Sequence, residues 1–429
     1  MKKGLVISWY FPPINSSEGL VTFKLLKNSK YEYDVFTQKG NEDWSYGSNA
    51  EKLKSDNINT IFSKTNDIDK WVEEGIEYFE NNKDKYDYIM SRSMAADSHK
   101  IALEIKKRHP EVKWIASFGD PIADNPYKNF YRKYNPFSLN GKGLESMSFK
   151  EALKPTRIIK SKAWKAWYKR YLKKYDPEVE KVKLQRNILK YADKIILNNP
   201  YEMKHMLKTC ENASEVEKKM IVIPHTYDKD FYEKKVHKDN KKIRMVYLGH
   251  CDDIRSPKTF LEALSRLNKE EENLKDKLIV EFYGDLANMD KARIIDFDLT
   301  DIVKFRKPVS YFDSLRIMQE SDWVLLIDAN LSVFINENIF FAAKIADYLG
   351  AGTNIFGITM PLGASADILR ETTSIVSSYS ADEIYMYLKQ IVEKKCKFKT
   401  TNGEKYDIVN VVGKYDDMVN ELVYKGGNK

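Results

Sequence analysis

Cysteine is scarce: the 429 residues hold only three, Cys210, Cys251 and Cys396. An odd number at such wide separation excludes a disulfide framework and a four-thiolate zinc site. It reads as reduced thiols in a cytosolic protein. Long apolar runs are missing too, and no stretch reaches the roughly 18–20 apolar residues that span a bilayer. The apolar run Gly4–Phe11 behind Met1-Lys2-Lys3 is only 8 residues long, ends in Pro12-Pro13 and lacks a small-x-small cleavage site. It reads as a buried first strand rather than a secretion signal, so the chain is expected on the cytoplasmic side. Neither sign of charge dominates. Against 71 Lys and Arg stand 63 Asp and Glu, a net of +8, too even a mixture to mark a nucleic-acid binder. The loop acids Asp252-Asp253 and Asp296-Phe297-Asp298 have no aligned third ligand, and no metal site is expected. What remains is globular material, 42% hydrophobic and 31% charged, long enough for two or three domains whose cores need no staples.

Short apolar runs alternate with longer amphipathic segments. Strands are predicted at Gly4–Trp9, Tyr33–Phe36, Tyr86–Met90, Lys113–Phe118 and Lys194–Leu197. A second group follows at Met220–Ile223, Arg244–Leu248, Leu278–Tyr283, Val303–Phe305, Trp323–Ile327 and Thr353–Gly357. Helical patterns such as Ala96–Arg108, Pro257–Leu267 and Phe341–Leu349 lie between them. This alternation predicts an α/β protein of two Rossmann-like, doubly wound parallel-sheet domains. The boundary is placed in Pro224–Lys242, a stretch with a solvated charge run of linker character. The expected units are 1–235, 236–403 and a last helix in 404–429 that packs back toward the first.

One segment differs from the rest. Residues 126–183 carry 16 Lys and Arg against 5 Asp and Glu, a net of +11, so the remainder of the chain is at −3. Aromatics at 164, 167, 168, 171 and 175 fall on one helical face. Three readings stay open: an amphipathic helix on an anionic membrane surface, a helical insertion packed on its own domain, and a nucleic-acid patch. The first two are favoured, and no nucleic-acid partner is expected.

The strand Arg244–Leu248 runs into Gly249, then into the basic loop of Arg255 and a helix. Ligands of open parallel sheets bind at the carboxyl ends of strands. A helix N-terminus there favours an anion, and a guanidinium suits phosphate oxygens. Further on, Lys344 and Asp347 share one helix face near its start. A lysine there opposes the helix dipole, which marks it for a bound anion. The carboxylate one turn on is placed to accept ribose hydroxyls. The plain alternative is an i,i+3 salt bridge between the two.

The pieces “YLGHCDDIRSPKTFLEAL” and “KIADYLGAGTNIFGITMPLGASADILRET” resemble the donor half of a GT-B nucleotide-sugar glycosyltransferase of the retaining family-4 type. “SWYFPPINSSEG”, “SRSMAADSHKIALEIKKRHPEVKWIASFGDPIADNPY”, “YADKIILNNPYEMKHM” and “IVIPHTYDKDFY” resemble its first half, in order. The resemblance implies roles. Arg255 and Lys344 would neutralise the donor diphosphate, beside Gly249, and Asp347 would bind the ribose. Gly363, Ala364 and Ser365 would offer loop amides. Ser16, Ser17 and Gly19 would close on the donor from the other domain. His99 would touch donor sugar or acceptor, and Asp120 would position the acceptor. It implies no cofactor beyond the donor itself, a UDP- or GDP-linked sugar. The acceptor would be a glycan or lipid-linked saccharide in cell-surface polysaccharide synthesis, reached by an enzyme that is cytoplasmic or peripheral on the membrane. Two features depart from the family pattern. Its first acidic position, eight residues before Asp347, is Ile339, with Glu337 two residues earlier still, and His250 stands where an arginine is usual.

Overall fold

The structure is a computed structural model that describes residues 2–40, 47–127, 177–234, 240–284, 286–394 and 400–424. The greater part of the basic aromatic segment, and Cys396, lie outside the described residues. Two wholly parallel sheets carry the fold. The first holds β1 Lys3–Ser8, β2 Glu32–Thr37, β3 Ile58–Phe62, β4 Tyr88–Arg92, β5 Trp114–Ser117, β6 Lys194–Leu197 and β7 Met220–Val222, in the order β3-β2-β1-β4-β5-β6-β7. The second holds β8 Ile243–Leu248, β9 Leu278–Tyr283, β10 Val303–Arg306, β11 Trp323–Ile327, β12 Asn354–Ile358 and β13 Ile375–Ser377, in the order β10-β9-β8-β11-β12-β13.

The central strands are mostly apolar because helices cover both faces. Leu5, Val6 and Ile7 of β1 are fully buried, as are Val324 and Leu325 of β11. Val6 sits between Val35 and Met90 in register, and Val246 between Glu281 and Val324. In each sheet the strand order reverses beside the first strand, between β1 and β4 and between β8 and β11. Such reversals open a crevice at the carboxyl ends.

The predicted strands are all present, and β3 and β13 are added to them. β3 is a half-exposed edge strand, and β13 is only 3 residues long. The linker character predicted for 224–242 fails in its first half, where His225, Thr226, Tyr227, Asp228 and Phe231 are buried. The reason is a second crossing of the chain. Tyr227 N donates to Tyr406 O at 3.0 Å and Ile408 N donates to Tyr227 O at 2.9 Å. The last helix, Ile408–Tyr424, lies against the first sheet's layer. Ser29 Oγ donates to Asp416 Oδ1 at 2.6 Å, and Tyr415 is fully buried beside Tyr88 and Met90. Among the described residues no helix is long and apolar enough to cross a membrane.

Candidate active site

The site begins where β8 stops. Gly249 turns the chain at φ +153°, and a Cβ there would lie 1.8 Å from Lys344 Nζ. Only glycine lets the ammonium approach this backbone. Three residues on, Asp252 builds a local turn, its Oδ1 accepting from Ile254 N at 3.1 Å and Arg255 N at 2.8 Å. That turn aims Arg255. The guanidinium lies over the Tyr127 ring, 4.8 Å from its centroid, and Nη1 also donates to the Tyr127 hydroxyl. Tyr127 in turn donates to Asp252 Oδ2 at 3.0 Å, and Arg255 Nη1 stands 3.5 Å from the same oxygen. Burial opposes the charge on Arg255, but Tyr127, Asp252 and Asp328 outweigh it and raise the guanidinium above its usual range.

Lys344 is the first residue of the helix Lys344–Ala351. Its ammonium lies 5.2 Å from the Tyr247 ring centroid. Among the described residues it has no ion-pair partner. Burial first, and Arg255 second, pull its pKa down to about 8. The i,i+3 bridge to Asp347 does not form. Instead Asp347 Oδ1 accepts from Lys24 Nζ at 3.2 Å and from Tyr311 Oη at 2.9 Å. Behind the cations, Asp328 at the end of β11 is buried. It accepts from Asn338 Nδ2 at 2.9 Å, Thr359 Oγ1 at 3.2 Å and Ala329 N at 2.8 Å.

These groups line one cleft of about 660 Å³, with Ser17 and Lys24 on the first half's side and Gly249, Arg255, Lys344 and Asp347 on the second's. Another hollow, of about 670 Å³, lies between the helix Pro177–Tyr191 and Cys210–Lys219. It shares no lining residue with the cleft and sits at no strand's carboxyl end.

The cleft therefore unites Ser17, Gly249, Arg255, Lys344 and Asp347. The other sequence candidates lie behind it or apart from it. His99 is fully buried, with Nδ1 2.7 Å from Ser91 Oγ and its ring 4.6 Å from that of Phe118. Burial, then Arg92, pushes it down to about 3, and among the described residues its Nε2 has no partner. It is neither a surface cap residue nor part of the cleft lining. Asp120 is half-buried just past β5 and does not line the cleft either. Gly19 is buried, and a Cβ there would meet the Phe11 backbone at 3.1 Å. Gly363, at φ +133°, would meet Asn338 O at 2.2 Å with a Cβ. Ala364 N donates to Asn338 O at 2.9 Å, and Ser365 Oγ donates to Phe340 O at 3.3 Å. Gly363, Ala364 and Ser365 thus brace the segment that leads into Lys344.

At the departed acidic position, Ile339 is buried and its carbonyl accepts from Asn199 Nδ2 at 2.9 Å. Glu337 pairs outside the cleft with Lys204, at 3.3 Å. His250, in place of the usual arginine, does line the cleft. Among the described residues no group of His, Cys, Asp and Glu is arranged to hold a metal ion. Sequence reasoning missed Tyr127, Asp328, Tyr311 and Lys24. A carboxylate at the carboxyl end of the apolar strand β11 was a usable signal for Asp328. Tyr127 and Lys24 reach the site from far along the chain and left none.

No family model matches the chain, and no curated protein matches it. Solved structures do. Sucrose-phosphate synthase from Thermosynechococcus elongatus superposes with a TM-score of 0.63 at 12% identity, covering 98% of this chain and 99% of that one. A glycosyltransferase from Rickettsia africae gives 0.61 at 13% identity, with 99% of each chain covered. The chain has the GT-B fold. A UDP-N-acetylglucosamine 2-epimerase shares it, with a TM-score of 0.52 at 12% identity over 100% of this chain and 98% of that one. The GT-B fold thus carries more than one reaction, and the site must decide among them.

Proposed function

We propose that the chain transfers a sugar from a nucleotide-sugar donor, UDP- or GDP-linked, to a glycan or lipid-linked saccharide, with retention of configuration, in the synthesis of a cell-surface polysaccharide. One observation carries the reading: Arg255 and Lys344 converge on a cleft at the carboxyl ends of the second sheet, and the lysine has no carboxylate partner among the described residues. An ammonium without a carboxylate partner, beside a guanidinium held by Asp252, calls for an anionic ligand. A nucleoside diphosphate supplies that charge.

The chemistry follows from the leaving group. Breaking the bond between sugar and diphosphate builds negative charge on the departing phosphate oxygens. Fixed cations aimed at those oxygens stabilise that charge without proton transfer. Arg255 offers a planar fork and Lys344 a point charge. Asp347 holds the ribose, and Ser17 approaches the donor from the opposite wall. Asp120, past β5, stands on the acceptor's half. Approach of the two halves excludes water, which protects the donor from hydrolysis. The segment 126–183 would bring the enzyme to its acceptor at an anionic membrane surface; this rests on the sequence alone.

Arg255→Ala tests the reading. Transfer should fall by about 10²–10³-fold with the circular dichroism spectrum unchanged. Unchanged turnover would contradict the role of the cations. Incubation with a nucleotide sugar and no acceptor separates the neighbouring activity. A transferase gives at most slow hydrolysis, whereas a 2-epimer product would make the chain an epimerase.

A further inference from the structure

The helix Ser17–Asn28 presents Ser17, Leu20, Val21 and Lys24 to the cleft, at the spacing of one helical face. Its two inward lysines do different things. Lys27 binds the crossing segment, pairing with Asp228 at 2.8 Å and Asp230 at 2.9 Å. Lys24 crosses the cleft. Its side chain is 3% exposed, and its carboxylate partner is Asp347, 323 residues on. At 3% exposure the ammonium's desolvation is offset by this carboxylate, so the contact links the first half to the second. The geometry on Asp347 is one-sided. Lys24 and Tyr311 both donate to Oδ1, and Oδ2 takes no hydrogen bond from a described residue. A carboxylate accepts at both oxygens. Oδ2 is left for a ligand hydroxyl.

We propose that Lys24 is a positioning residue that couples nucleoside binding to closure of the two halves, by orienting Asp347 so that Oδ2 meets the ribose hydroxyls. The inference rests on the nucleotide-sugar reading above, and it adds the first half's own contribution to a subsite built on the second. Binding at Asp347 and the seating of the helix Ser17–Asn28 then share one ion pair, so each favours the other.

The test is a double-mutant cycle on the full chain, read by calorimetric titration with UDP and with GDP. Lys24→Met should weaken the nucleotide that binds by about tenfold, and Lys24→Arg should recover most of the loss. In an Asp347→Asn background Lys24→Met should cost less than about twofold. X-ray scattering without nucleotide should show the Lys24→Met chain more extended than the unaltered chain, in which the pair already joins the halves. If Lys24→Met does not fold, Lys24→Gln carries the same cycle. An equal loss in both backgrounds, or no loss in either, overturns the coupling while leaving the nucleotide reading intact. Failure of the unaltered chain to bind either nucleotide overturns both.

Discussion

Lys344 shows how much one side chain's surroundings decide. Its ammonium rests against the Gly249 backbone, and burial together with Arg255 holds it at about 8, below the ordinary lysine value of 10.5. The charged form is the one that attracts a diphosphate. Nucleotide affinity should therefore fall as pH rises through about 8, and a bound diphosphate, by favouring the charged form, should shift that fall upward in the complex. Titration calorimetry across this range checks it, and Lys344→Arg should flatten the profile because a guanidinium does not titrate there. Stability moves the other way. Between about 8 and 10.5 the unfolded chain binds the proton that the folded chain has released, so this group makes stability rise with pH over that window. A melting temperature insensitive to pH there in the unaltered chain, or equally sensitive in Lys344→Arg, would contradict the placement of the ammonium.

Among the elements, the turn after β8 is the most exacting. Gly249→Ala puts a methyl where Lys344 Nζ now lies and asks a residue with a side chain to hold φ +153°. Strain of this kind costs about 1–3 kcal/mol. The expected outcome is a lower melting temperature together with lost nucleotide binding. Full binding in the variant would mean that the ammonium has another seat. The elements legible in the sequence were those whose burial is local in cause. β1, β8 and β11 carry the apolar runs 4–7, 245–248 and 323–327 because both faces are covered, and Lys344 and Asp347 share a face through helix periodicity alone. What was illegible depends on distant partners. Pro224–Phe231 reads as polar and charged, yet it packs inside because residues 406–408 return beside it. His99 resembles a cap-region residue, but Phe118 and Ser91 enclose it from other strands. Tyr127, stacked on Arg255, comes from 128 positions earlier in the chain.

At the scale of the whole molecule, two parallel sheets bring their carboxyl ends to one cleft, and the chain crosses between them twice. The second crossing ends in the helix Ile408–Tyr424, which is tied to the first layer through Asp416 and Glu421. The two halves therefore meet along the cleft through side chains such as Lys24 and Asp347, and at the crossings through backbone pairing at Tyr227. A ligand that occupies the cleft contacts both halves at once. The most direct measurement is a crystal structure of the full chain with whichever of UDP and GDP it binds more tightly. Diphosphate oxygens within hydrogen-bond reach of both Arg255 and Lys344, with the ribose on Asp347, are the predicted result. A nucleotide seated elsewhere, or a diphosphate turned away from both cations, would contradict the account.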